Sequence, residues 1–283
     1  MENSGSTDEG GSAESGDEEQ TGNGRSALSY GWLELPSDAS AEDSDNFVSL
    51  FSVSSGARNY SYLYDKSMYT TLWTAYPVYD SAMDGNYSAS WQANPNLKTQ
   101  EQINIWDGSY GVEDYSRGHL VPDASRDGNK EMLQQAYYAT NQVPQIQNGF
   151  NGGIWAQLEG GVRDAVTSSC DTVYVVTGVV FNKVGENKSI TNIKPAKDTK
   201  QCPVPNYFYK VALKVRRSGN QITAATAIGF WFEHKTYSGS YTAHAVSVNE
   251  IEKFTGLDYF VNLPQSLQQT AESNTDWTIF KDF

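Results

Sequence analysis

The sequence is poor in several features that would mark particular protein classes. None of its apolar runs approaches the roughly 20 residues that a membrane-spanning helix requires, so no membrane-spanning segment is predicted. There are only two cysteines and three histidines, and neither cysteine is paired with a histidine in a motif, which argues against a zinc site or a thiol nucleophile. Because the sequence has no repeat and no mid-chain linker, we predict one domain over residues 28–283.

Positive charge is also scarce. The formal net charge is −14, and residues 1–45 hold twelve acids and one Arg. The remaining 22 acids and 19 bases leave residues 46–283 with a net charge of −3. Any attraction for a polyanion must therefore come from a local group of cations, since the overall charge provides none.

Residues 1–27 consist mainly of Gly, Ser and acidic residues. Such a segment has almost nothing to bury, so we predict a disordered tail. An acidic Ser/Gly run resembles the region after the acylated cysteine of bacterial surface lipoproteins. We therefore expect a protein that is secreted, or that is held at the bacterial cell surface or in the periplasm by a lipid anchor at a removed N-terminal cysteine. A cytosolic protein with a solubilising tail is the alternative.

The remaining chain is rich in β-branched and aromatic runs separated by turn residues. These runs predict strands at 32–36, 46–53, 61–65, 70–79, 171–181, 206–215 and 222–234. A helix is predicted at 129–140, and a second helix begins at the capping box Ser247–Glu250 and ends at Gly256. The expected fold is α+β, with a mainly antiparallel central sheet flanked by helices.

Residues 114–163 hold several side chains that could take part in catalysis or in binding. Arg117 and His119 join a permanent cation to a titratable base across a glycine, a pair that suits chemistry on a phosphate. Asn151, Trp155 and Glu159 recur at four-residue intervals, so on a helix they would face the same side.

Four ordered motifs carry a family resemblance. They are Ser-Arg-Gly-His at 116–119, Asn141 to Gln145 with Pro144, Asn151 followed by Trp155, and Leu-Glu at 158–159. This combination resembles the DNA/RNA non-specific endonucleases with a ββα-metal (His-Me finger) site, which include the endonuclease-G-like enzymes. The resemblance covers roughly residues 58–265. It implies metal-dependent hydrolysis of DNA and RNA phosphodiester bonds that leaves 5′-phosphate ends.

The resemblance also implies a role for each motif residue. Asn151 would be the only direct protein ligand of Mg²⁺, with Mn²⁺ as an alternative ion. His119 would be the general base, and Arg117 would stabilise the phosphate in the transition state. Glu159 would orient metal-bound water or the arginine, and Asn141 would support the site and contact substrate.

The chain departs from the family pattern in two places. Ser116 stands where the family has Asp, and the upstream Arg that some members carry before a Trp is absent at Ser90-Trp91. Arg126 is a candidate replacement that would bind substrate, and an ordinary surface Arg is the alternative. These departures also leave open a rival function, a catalytically inactive nucleic-acid-binding or surface protein on the same fold.

Cys170 and Cys202 each immediately precede a predicted strand. An even cysteine count in an exported chain favours a disulfide, which would close a loop of about 30 residues and contribute about 3 kcal/mol. Two buried free thiols are the alternative.

Overall fold

The computed structural model describes residues 30–39 and 45–283, so the predicted tail at 1–27 lies outside the described residues. Its centre is a seven-stranded sheet in the order β1-β2-β3-β6-β9-β10-β11, in which every neighbouring pair is antiparallel. These strands are β1 (Phe47–Phe51), β2 (Arg58–Asp65), β3 (Thr70–Val78), β6 (Val173–Val180), β9 (Tyr207–Ser218), β10 (Gln221–Glu233) and β11 (Ala245–Val246).

In the part of the chain that the structure describes, two small antiparallel pairs and six α-helices complete the architecture. The pairs are β4 (Tyr115–His119) with β5 (Gln142–Ile146), and β7 (Asn192–Ile193) with β8 (Cys202–Pro203). The helices are α1 (Asp80–Met83), α2 (Lys130–Ala136), α3 (Ala156–Asp164), α4 (Val248–Thr255), α5 (Gln265–Ala271) and α6 (Trp277–Asp282). The predicted α+β fold with a mainly antiparallel sheet is confirmed.

Both faces of the central sheet are covered, which explains why strands such as β6 read as continuous apolar runs. One face packs against the β4-β5 hairpin, α3 and α6, and includes Trp155 and Phe280. The other face packs against residues 30–39, α4 and α5, and includes Leu35 and Ile251. The two faces therefore carry separate structural layers, and the motif residues lie on the first.

Local sequence signals set the ends of several elements. Gly219 turns β9 into β10 at φ 56°, a left-handed backbone conformation that glycine adopts without strain. The Ser247 hydroxyl accepts the Glu250 N–H at the start of α4, and Gly256 ends that helix at φ 76°. These turn and helix boundaries are confirmed.

Two predicted elements differ from the structure. Residues 32–36 form turns and no strand. The apolar side chains of Leu33 and Leu35 pack on a face of the sheet, and the segment does not pair with a strand. The helix predicted at 129–140 ends at Ala136, and Asn141 belongs to a separate 3-10 turn, Ala139–Asn141.

The predicted disulfide is wrong, since Cys170 and Cys202 are both buried free thiols. The Cys170 Sγ lies 3.5 Å from the carbonyl oxygen of Val215, in a turn that precedes the central sheet. Cys202 lies in β8, which pairs only with β7, and burial raises the pKa of its thiol to about 12. Cys170 precedes β6 and Cys202 precedes β9, and these strands are antiparallel neighbours in the central sheet, so the two thiols lie at opposite ends of the pair.

No helix within the described ranges is both long enough and apolar enough to cross a lipid bilayer.

Candidate active site

The motif residues lie on a two-strand and helix unit. In the β4-β5 hairpin, Ser116 pairs with Gln145 and His119 with Gln142. The chain leaves β5 at Ile146 and enters a helical segment that continues into α3. This ββα arrangement matches the one that the sequence motifs implied.

Gly118 is required by the packing inside this hairpin. The buried Gln145 side chain crosses over it so closely that a Cβ at position 118 would lie 2.1 Å from the Gln145 Cδ. Any side chain larger than a hydrogen atom would displace the buried Gln145 side chain. The glycine between the arginine and the histidine is thus explained by sterics.

His119, at the end of β4, is held between aromatic rings. Its imidazole stacks on Trp91 with ring centroids 4.5 Å apart and meets the edge of Tyr137 at 4.8 Å. The Nε2 atom is buried and has no hydrogen-bond partner among the described residues, whereas the residue as a whole is partly exposed. Burial lowers the pKa of His119 to about 4, and the nearby Asp123 only partly offsets this. The ring is therefore neutral at pH 7 and can accept a proton.

Arg117 lies two residues before His119, on the same face of β4. Its guanidinium carbon is 5.4 Å from the centroid of the Trp91 ring, and its Nη1 donates to the Ile105 carbonyl at 2.9 Å. Burial lowers its pKa from the ordinary value. One indole thus contacts both the cation and the base and keeps them together.

Asn151 does not lie on a regular α-helix with Glu159. Residues Gln147–Trp155 form an irregular π-type segment with non-helical angles at Asn148, Gly149 and Gly153, and the regular helix α3 begins only at Ala156. The prediction of one continuous helix face is wrong for this reason.

The amide of Asn151 is oriented by its neighbours. Its Nδ2 donates to the Ser116 Oγ at 2.9 Å and to the Gln147 Oε1 at 3.1 Å. Both bonds leave from the nitrogen, so the Oδ1 atom has no hydrogen-bond partner among the described residues. An anchored amide with a free oxygen is the donor that a hard cation such as Mg²⁺ prefers, so this residue fits a metal ligand.

Glu159, in the first turn of α3, is half-buried beside Trp155. Burial raises the pKa of its carboxyl to about 7, while Lys210 and Arg163 lower it and Asp123 raises it. The Trp155 indole nitrogen also lowers this pKa, but it forms no hydrogen bond of ordinary geometry. The carboxyl of Glu159 is therefore poised to gain or lose a proton near neutral pH.

Two further groups belong to this region and were not predicted. Arg163 lies one turn after Glu159 on α3 and lowers the pKa of its carboxyl. Asp123 influences the pKa of both His119 and Glu159, and it accepts a hydrogen bond from the Tyr137 hydroxyl at 3.0 Å. The four-residue spacing of Glu159 and Arg163 was a readable signal, whereas nothing in the sequence connected Asp123 to the histidine.

Comparison with known proteins decides which family this site belongs to. Residues 43–266 match the model of the DNA/RNA non-specific endonuclease family. The chain belongs to that family.

Individual members of the DNA/RNA non-specific endonuclease family are distant in sequence. The chain is 25% identical over 213 residues to "Nuclease 1, mitochondrial" of Schizosaccharomyces pombe, covering 73% of this chain and 65% of that protein. It is 31% identical over 166 residues to "Nuclease" of Syncephalastrum racemosum, covering 56% and 50%. The chain thus spans half to about two thirds of the length of these curated relatives.

Among solved structures, the chain resembles one titled "Crystal structure of the EndoG/EndoGI complex: Mechanism of EndoG inhibition". The TM-score is 0.60 at 18% identity, and the match covers 74% of this chain and 86% of that one. This similarity supports the shared fold of the DNA/RNA non-specific endonucleases.

Two residues predicted to contact substrate in this family member are inaccessible. Asn141 is fully buried, with its Oδ1 accepting the Val121 N–H and its Nδ2 donating to the Val121 and Ala136 carbonyls. The predicted substrate contact by Asn141 is therefore wrong, while its supporting role agrees with these bonds, which fix the turn after β4.

Arg126 is the second such residue. Its side chain is 0% exposed and donates to the side chain and carbonyl of Asn59 and to the carbonyls of Pro77 and Ser125. Burial lowers its pKa to about 10, so it stays a cation at neutral pH. The prediction that Arg126 binds substrate is wrong, because its side chain is fully buried and its four hydrogen bonds all go to internal oxygen atoms.

The site opens onto the surface and not into a deep cavity. A cleft of about 210 Å³ adjoins it and is lined in part by Tyr87, Asp123, Asp127 and Tyr137. A larger cleft, about 720 Å³, lies elsewhere, beside Gly31, Arg217 and Pro264. Because a nucleic-acid strand needs an open groove rather than an enclosed cavity, we place the chemistry at the ββα unit despite its smaller volume.

Proposed function

We propose that this chain is a divalent-metal-dependent endonuclease that hydrolyses phosphodiester bonds of both DNA and RNA. The observation that carries the proposal is the joint placement of three groups on one ββα unit. A neutral imidazole stands at His119, a guanidinium at Arg117 and a free amide oxygen at Asn151. Each supplies a different requirement of phosphodiester hydrolysis.

His119 supplies the base. Because Nε2 is buried, we assign to Nδ1 the proton that leaves the attacking water. The lowered pKa keeps the imidazole unprotonated, and the Trp91 and Tyr137 rings restrict its rotation. A restricted neutral base presents its lone pair in one direction, which reduces the entropic part of the barrier.

Arg117 supplies positive charge for the phosphate oxygens. A guanidinium offers planar donors, and within the described ranges this side chain donates only one hydrogen bond, to the Ile105 carbonyl. The remaining donors can stabilise charge that develops on the phosphate in the transition state.

Asn151 would hold the metal ion through its Oδ1 atom, with the amide fixed by Ser116 and Gln147. When bound, the ion supplies charge compensation at the phosphate and at the departing oxygen. Mg²⁺ suits a site with one protein oxygen ligand because it retains several waters, and Mn²⁺ can replace it. Glu159 would orient water or the neighbouring Arg163 once its carboxyl is ionised.

This chemistry reads the backbone and not the base edges, so we expect little sequence preference and 5′-phosphate products. The net charge of −3 over residues 46–283 predicts weak long-range attraction of nucleic acid. Export of the chain and a lipid anchor stay predictions, because they depend on residues 1–27, outside the described part of the chain.

The deciding experiment is digestion of supercoiled DNA and of RNA with Mg²⁺, with Mn²⁺ and with a chelator. We expect cleavage of both polymers that the chelator abolishes, and 5′-phosphate ends on the products. The His119→Ala variant is the matched control for a contaminating nuclease. If the parent protein binds nucleic acid but cleaves neither polymer with either ion, it is an inactive binding protein on this fold.

A further inference from the structure

Three carboxylates converge on the face of the sheet opposite the active site. Glu252 comes from α4, Asp258 from the loop after it, and Glu272 from the residue that ends α5. One oxygen of each lies within 4.8 Å of the others. Helices α4 and α5 pack on the sheet face that carries Leu35 and Ile251, so this acidic cluster is separate from the catalytic unit.

Glu272 is the unusual member of the acidic cluster. Its side chain is 96% buried, since its exposure is 4%, and its Oε1 atom is buried without a hydrogen-bond partner. In the described part of the chain, no Lys or Arg forms an ion pair with any of the three carboxylates. A buried carboxylate oxygen with no donor is costly unless a cation satisfies it.

Hydrogen bonds hold the ligands of the acidic cluster in place. The Gln268 Nε2 donates to the Asp258 Oδ1 at 2.7 Å and to the Tyr259 carbonyl at 2.8 Å. The Tyr259 N–H donates to the Glu252 Oε1 at 3.0 Å. The Asp258 carbonyl also accepts the Ser37 N–H at 2.8 Å, which connects the segment 30–39 to this loop.

We propose that Glu252, Asp258 and Glu272 bind a calcium ion that stabilises the fold and is distinct from the catalytic metal. Three carboxylates with no nitrogen or sulfur donor do not match the ligand set that zinc prefers. Three carboxylates from three separate segments suit Ca²⁺, which accepts six to eight oxygens in flexible geometry, better than Mg²⁺, which keeps most of its waters. The exposed Asp258 provides the entry route for the ion.

The test uses the full chain with Asn151→Ala, so that the proposed catalytic ligand is absent. Ca²⁺ at a hundredfold excess over its Kd should raise the Tm by about 5 °C. Atomic emission after desalting should find one calcium ion per chain. Adding Glu272→Gln should abolish both effects, whereas Glu250→Gln, an exposed acid on the same helix, should leave them unchanged.

Two further comparisons keep the proposal open to contradiction. In chelator, Glu272→Gln should be at least as stable as its parent, because it removes a buried carboxylate that lacks a partner; Asp258→Asn replaces it if that variant does not fold. An unchanged calcium-induced Tm rise in both variants, no rise in the parent, or an equal rise with Mg²⁺ would overturn the calcium site. None of these results depends on nuclease activity.

Discussion

The Ser116 hydroxyl accepts a hydrogen bond of 2.9 Å from the Asn151 amide nitrogen. The same hydroxyl donates to the Gln145 carbonyl on the paired strand at 3.2 Å. Ser116 stands where the family pattern has Asp, so at this position a neutral group orients the proposed metal ligand. The substitution leaves the geometry of the Asn151 oxygen intact and removes a negative charge from its surroundings.

Replacing Ser116 with Ala should weaken metal binding, because the Asn151 amide loses one of its two anchors. Partners that orient a ligand typically change metal affinity by about 10–100-fold when removed. Isothermal titration with Mn²⁺ measures the effect, and Ser116→Thr, which keeps a hydroxyl, serves as the control. Equal affinities in the three proteins would show that the hydrogen bond does not orient the ligand.

Asn151→Ala and His119→Ala should fail in different ways. Removing the Asn151 oxygen should abolish metal binding at the catalytic site and leave substrate binding in chelator unchanged. Removing the imidazole should lower kcat by about 10²–10⁴-fold and leave metal affinity unchanged. The two roles are exchanged or wrong if Asn151→Ala binds the catalytic metal normally, or if His119→Ala cleaves at the parental rate.

The pH profile of kcat/KM should reflect Glu159 and not His119. The pKa of His119 is lowered to about 4, so its neutral form persists as pH falls from 7 to 5. The Glu159 pKa is raised to about 7, so below that pH its carboxyl is protonated and cannot orient water or Arg163. Activity should therefore rise with pH through about 7, and Glu159→Gln should flatten the rise. If the pH profile of kcat/KM is unchanged in Glu159→Gln, another group causes the rise in activity near pH 7.

Arg126→Met should destabilise the protein without a specific effect on substrate. The change leaves the oxygen atoms of Asn59 and the Pro77 carbonyl without their donors, at about 1–3 kcal/mol for each buried group. We expect a lower Tm and an unchanged KM for the folded fraction. A raised KM with an unchanged Tm would show that Arg126 contacts the substrate.

A reductant should leave the Tm unchanged, because Cys170 and Cys202 are separate thiols. Thiol labelling in denaturant without reductant should modify two cysteines per chain, and labelling of the native protein should be slow because both are buried. Protein that accepts no label until it is reduced would contradict the structure.

The strands of the sheet were predictable because burial on both faces leaves long apolar runs. The turn at Gly219 and the boundaries of α4 were predictable because single residues determine them. The segment 32–36 was mistaken for a strand because its apolar residues pack against a sheet without pairing. An apolar run indicates that a segment is buried, but it does not indicate whether the segment pairs within a sheet or packs on its face.

The site was predictable only where one side chain carries the chemistry. His119, Arg117 and Asn151 stand in a motif, and the structure places them on one unit. Arg126 was misassigned because an arginine is usually exposed, and its bonds to Asn59 and Pro77 join residues far apart in sequence. The acidic cluster likewise joins three separate segments, so no local sequence pattern predicts that its carboxylates lie together.

The C-terminal helix has a consequence for defining the folding unit. The family similarity ends at residue 266, yet Phe280 of α6 is fully buried in the same core as Trp155, beneath the catalytic unit. A chain that ends at residue 266 would keep every motif residue but lose part of the hydrophobic core that supports them. The cooperative folding unit therefore extends beyond the region of family similarity, and a truncated protein should be designed to keep α6.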